Sequence, residues 1–83
     1  MDTERQRLLL HSFPRSEREE IRISAVEHEG KDYIDLRLWF IPDGGNDYVP
    51  TKRGLYLPAD TCEQLQRGIS LLVEHYQKQR HKK

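Results

Sequence analysis

The 83 residues make one domain at most, and so short a chain buries only a modest fraction of its unfolded surface, which leaves its core marginal unless something supplements it. The single cysteine, Cys62, excludes an intramolecular disulfide, and no Cys/His cluster has metal-site spacing, so oligomerisation is the expected supplement. The 14 basic residues balance 14 acidic ones, which argues against a domain that holds polyanions by bulk charge.

Residues 1–19 are expected to form an N-terminal arm, partly disordered. Phe13-Pro14 interrupts any helix, leaving room for one helical turn around Leu8, Leu9 and Leu10. That aliphatic run is the longest in the chain, so neither a secretory segment nor a membrane span is expected. The predicted setting is intracellular: cytoplasm or nucleoid in a bacterium, nucleus in a eukaryote.

The domain proper is expected over 20–79. Ile21, Ile23 and Ala25 alternate with Arg22, Ser24 and Val26, the period of a half-buried strand. Glu29-Gly30-Lys31-Asp32 makes a hairpin turn, with Gly30 supplying a positive φ. In the next strand Ile34, Leu36, Leu38 and Phe40 share a core-like face, and Tyr33, Asp35, Arg37 and Trp39 share the other, half aromatic and half charged. A turn cluster over 42–47 precedes a short third strand at Tyr48-Val49, which Pro50 interrupts as an edge position allows. Leu55-Tyr56-Leu57 forms a fourth strand, and Pro58 opens a helix predicted to reach about Gln79.

Cys62, Leu65, Ile69, Leu72 and Tyr76 recur along that helix at the spacing of a coiled-coil stripe. Burying each such side chain contributes about 1.5–3 kcal/mol, and a small sheet cannot cover a helix on the order of 30 Å long. A second copy of the chain, meeting this one through Leu65, Ile69, Leu72 and Tyr76, is the expected cover. Residues 80–83 form a basic tail, favourable at a helix C-terminus. The fold class expected is α+β: a four-stranded curved antiparallel β-sheet followed by one long C-terminal α-helix, homodimeric.

No enzyme is expected. His11, His28, His75 and His81 lack metal-ligand spacing, Gly44-Gly45 lacks the lysine of a phosphate loop, and no nucleophile elbow occurs. Cys62 on the apolar stripe reads as a buried small hydrophobe. No cofactor or metal is predicted.

Gly30-Lys31-x-x-Ile34-Asp35-Leu36-Arg37, the aromatic pair Trp39-Phe40, and Pro50-x-Lys52-Arg53-Gly54-Leu55-x-Leu57 together resemble the positive cofactor 4 type of transcriptional coactivator domain. The resemblance spans roughly Ile21 to Tyr76. It implies a homodimer whose β-ridges form channels for single-stranded DNA, with RNA as an alternative ligand and the transcription machinery as a further partner. Carried over, Lys31, Arg37, Lys52 and Arg53 would neutralise phosphates, and His28, Tyr33, Trp39 and Phe40 would offer faces to bases. Strict alternation instead assigns Phe40 to the core-like face. The family commonly has an aromatic followed by a lysine where this chain has His28 and Glu29, and basic residues where it has Val26 and Val49. Zero net charge and Glu29 favour a different role, a dimeric protein–protein adaptor whose nucleic-acid channel has been lost.

Overall fold

A computed structural model describes residues 5–81. Four strands, β1 (Arg5–Ser16), β2 (Glu19–His28), β3 (Lys31–Phe40) and β4 (Val49–Pro58), form one antiparallel sheet in the order β1-β2-β3-β4. A 3-10 turn (Ala59–Thr61) leads into one helix, α1 (Cys62–His81). The sheet-then-helix order agrees with expectation, but two of the four strands differ from those predicted.

The predicted arm supplies β1. Pro14 forbids a helix yet is tolerated in an edge strand, and here it adjoins a register shift between Pro14 and Ser16. Leu8–Leu10, read as a helical turn, is therefore extended. The third and fourth predicted strands are one strand, β4, and Tyr48 lies in the loop before it. Pro50 does not interrupt β4, because β4 is the other edge of the sheet and its outward side needs no N–H. Pro58 ends β4 in an extended conformation (φ −58°, ψ 146°) instead of opening the helix, and its carbonyl accepts a 2.8 Å hydrogen bond from Thr61 Oγ1. Residues 1–4 of the predicted arm and 82–83 of the basic tail lie outside the described residues.

The turns are chemically explicit. Glu29 (φ 54°) and Gly30 (φ 75°) both adopt left-handed backbone between β2 and β3, the pattern of a tight two-residue hairpin. At the β1–β2 turn Glu19 Oε1 accepts hydrogen bonds from Ser16 Oγ (3.0 Å) and Arg15 (3.1 Å). Arg18 donates to the carbonyls of Ile41 (3.2 Å) and Pro42 (2.7 Å), which anchors the loop following β3.

Strand register sorts the side chains into two faces. On one, Leu8, Ala25, Ile34 and Leu57 lie abreast, followed by His11, Ile23, Leu36 and Leu55, then Phe13, Ile21 and Leu38. On the other, Arg7, Val26 and Tyr33 lie abreast, then Leu9, Ser24, Asp35 and Tyr56, then Ser12, Arg22, Arg37 and Gly54. The face read as the core holds one buried side chain, Leu38. The mixed face holds the more deeply buried positions, Val26 at 2% exposure and Asp35 at 1%. Long arginine and aromatic side chains lie over that face and shield it, whereas among the described residues only the turn at Ala59 and the start of α1 approach one end of the aliphatic face.

The described chain measures 56 × 38 × 18 Å, thin enough that α1 extends beside the sheet without forming a second layer on it. Ile69, Leu72 and Tyr76 are consequently 48–60% exposed, and Leu65 is half-buried. Cys62, expected to be buried, is exposed. No described helix is long and apolar enough to cross a membrane.

Candidate nucleic-acid interface

The mixed face of β3 is organised around Asp35. Its carboxylate accepts hydrogen bonds from Arg37 Nε on the same strand (3.0 Å) and from Arg7 on β1 (2.5 Å). Residues two apart on a strand point the same way, which is why Asp35 and Arg37 meet. Arg37 also donates to the Thr51 carbonyl of β4 (3.0 Å), and Thr51 Oγ1 donates to the Leu38 carbonyl (2.8 Å). The Arg37 guanidinium is thus held on two sides before any ligand arrives.

Aromatic side chains flank this charge cluster. Tyr33 stacks on Tyr56 with centroids 4.9 Å apart and planes 13° from parallel. The Arg22 guanidinium lies 4.3 Å from the Trp39 ring centroid and 5.2 Å from that of Tyr48, and Glu20 holds Arg22 at 2.5 Å. One face of Tyr33 and one of Trp39 are therefore already engaged. The Trp39 indole N–H is buried with no acceptor among the described residues. Arg7, Asp35, Arg37, Trp39, Pro50, Thr51 and Tyr56 line a cavity of about 450 Å³.

The residues singled out from the sequence do not form one cluster. Arg37, Trp39 and Tyr33 share the mixed face. Lys31 pairs with His28 at the β2–β3 hairpin end, about 26 Å from Trp39 at 3.3 Å per residue. His28 Nε2 lies 3.9 Å from the Glu29 carboxylate. Phe40 is opposite Glu19 and Val49 and points to the aliphatic side, as alternation required.

Lys52 and Arg53 are exposed on a bulge. Arg37 pairs with Gly54 and Trp39 with Pro50, so three residues of β4 stand against Leu38 alone. Arg53, together with Arg15, borders a groove floored by Ile21, Leu36 and Leu38 on the aliphatic side. A Cβ on Gly54 would run into the Leu36 carbonyl oxygen, so glycine is what lets β4 rejoin β3 after the bulge.

Residues 16–68 match the model of the family described as Transcriptional Coactivator p15 (PC4). The chain belongs to the PC4 family. The matched stretch contains β2, β3, the bulge of β4 and the first part of α1. The crystal structure of a PC4 homologue from Burkholderia pseudomallei K96243 is similar to this chain, with a TM-score of 0.75 and 26% identity over 82% of this chain and 98% of that one. A second crystal form of that homologue gives a TM-score of 0.71 at the same 26% identity, over 88% and 95%. The bacteriophage T5 homologue of the eukaryotic transcription coactivator PC4, implicated in recombination-dependent DNA replication, shares the fold, with a TM-score of 0.65 and 24% identity over 88% and 81%. No curated protein matches the chain significantly.

As a PC4-family member the chain is a DNA-binding protein of the transcriptional coactivator type built on an antiparallel sheet. Sequence reasoning missed Arg7, Arg22 and Tyr56 as parts of the mixed face. Tyr56 could have been found from alternation, since it lies between Leu55 and Leu57 on the opposite side. Arg7 could not, because its position depends on residues 5–16 pairing with β2.

Proposed function

We propose that this protein is a non-enzymatic homodimer that binds single-stranded DNA in transcription or DNA maintenance. The observation that carries the reading is the mixed face of β3, where a pre-oriented Arg37 lies between Tyr33 and Trp39. Guanidinium groups suit phosphates, and a stacked aromatic contributes roughly 1–3 kcal/mol per base without regard to sequence. Lys31 and His28, paired at the hairpin end, would extend this track along β3, while Lys52 and Arg53, exposed on the β4 bulge at the sheet edge, would hold phosphates beyond it, with Arg53 and Phe40 on the aliphatic side. The site would act inside the cell, where its ligand is.

The free stripe of α1 supports the dimer. Ile69, Leu72 and Tyr76 are half or more exposed in the single chain, and a second copy supplies the same stripe in return, as two-fold interfaces do. A protein–protein adaptor on the same scaffold is the second reading, favoured by the balanced charge and by Glu29 where a basic side chain would serve a DNA ligand better. Titration of labelled oligo-dT and of duplex of equal length in the same salt separates them. Single strands should bind more tightly. Equal affinity would defeat the stacking mechanism, and no binding would leave the adaptor.

A further inference from the structure

We infer that Arg7, on the N-terminal strand, is a phosphate contact, and that Arg7 and Arg37 together form a subsite for one phosphodiester group, with Asp35 as the residue that positions both. This rests on the single-strand reading above and goes beyond it, because Arg7 lies outside the stretch, 16–68, that matches the PC4 family.

Arg7 is on β1 and Asp35 on β3, with β2 between them, so the arginine side chain crosses a span of about 10 Å between strand axes. The pairing matters because the carboxylate is 1% exposed while the side chains of Arg7 and Arg37 are 34% and 19% exposed. A ligand approaching the cavity therefore meets guanidinium before carboxylate. The two arginines and one aspartate sum to one positive charge, which matches the single negative charge of an internal phosphodiester. A buried carboxylate needs one guanidinium for neutrality. The second is surplus to structure and available to an anion.

Geometry agrees with charge. The contacts to Asp35 and Thr51 engage one N–H of Arg7 and two of Arg37, out of five donors on each group. A guanidinium fixed by one carboxylate keeps a donor edge for forked recognition of phosphate oxygens, and being pre-ordered it loses little freedom on binding. Trp39, Tyr56 and Pro50 wall the same cavity, which offers apolar planes to the sugar and base attached to that phosphate.

The test uses the full chain and labelled oligo-dT. Arg7→Gln should weaken binding about tenfold at low salt, the scale of one charge-assisted hydrogen-bonded contact. It should also flatten the log–log salt slope by about 0.7. Arg67→Gln on α1 removes the same charge and should change neither. On the wild-type protein, phenylglyoxal modification mapped by mass spectrometry should show Arg7 protected by saturating oligo-dT and Arg67 not. This second measurement decides the matter should Arg7→Gln fail to fold. If the paired change Lys52→Ala and Arg53→Ala weakens binding while Arg7 shows neither loss of affinity nor protection, the subsite falls and the single-strand reading stands. Absence of oligo-dT binding by the wild type removes both.

Discussion

Replacing Gly54 by alanine tests whether the β4 bulge is a packed feature of the fold. The added Cβ would collide with the Leu36 carbonyl oxygen and lie 2.8 Å from Arg37 Cα and 3.1 Å from Arg37 Cβ. Two of those three atoms are main chain of β3, which β2 holds in register from the other side, so β4 must yield. Overpacking costs typically about 1–3 kcal/mol, and obstacles that cannot change rotamer put this case near the top, at about 2–3 kcal/mol. That is a large share of a total of roughly 4–12 kcal/mol for a chain this size. With an m-value of about 1–3 kcal/mol/M the urea midpoint, followed by Trp39 fluorescence at one protein concentration, should fall by about 1–2 M. Gly30→Ala is the control for backbone strain alone: its Cβ meets nothing within 4 Å, but φ is +75°. It should cost only about 1 kcal/mol. A Gly54→Ala midpoint equal to wild type, or a shift smaller than that of Gly30→Ala, would refute the collision and the rigidity assigned to the bulge.

Asp35→Asn leaves Arg7 and Arg37 facing each other without the shared carboxylate, so urea unfolding should show a loss of about 3 kcal/mol; a loss below 1 kcal/mol would mean the pair of arginines does not depend on it. Ile69→Asp puts an unpaired charge in the helix stripe, and sedimentation should then find monomer or unfolded chain where the wild type sediments as a dimer. A well-folded wild-type monomer at high concentration would end the dimer reading. Trp39→Ala should weaken oligo-dT binding by about 1–3 kcal/mol and leave the salt slope unchanged, whereas changing Lys52 and Arg53 together to alanine should flatten that slope by about 1.4, or 0.7 for each phosphate contact. Equal effects of the two variants on the slope would show that the aromatic and basic roles are wrongly divided.

Period-two alternation was enough to establish β2, β3 and the division of β3 into an aliphatic and a mixed face. The stripe from Leu65 to Tyr76 was enough for α1, because a face repeating at helical spacing has few other uses. The same local reasoning failed at Pro14 and succeeded only in part at Pro50, whose edge position it foresaw but where it broke one strand into two. Both were read as interruptions, yet proline is compatible with a strand whose N–H side faces outward, and which strands are edges is a property of the whole sheet. For the same reason Leu8–Leu10, which does not alternate, gave no sign of β1: a bulge between Leu9 and His11 breaks its register.

For the candidate site, the resemblance of the Ile34-Asp35-Leu36-Arg37 and Lys52-Arg53-Gly54 stretches located the basic residues in the chain but not in space. Sequence alone determined which side chains share a strand face, since that follows from backbone geometry at two-residue spacing. Only tertiary structure decided that Arg7 reaches Asp35, that Arg22 covers one face of Trp39, and that Arg53 borders the aliphatic groove instead of the mixed face. Those contacts depend on the lateral register of strands distant in sequence and on bulges that shift it. A one-residue slip in register moves every side chain of a strand to the other face, so no local pattern could have fixed them.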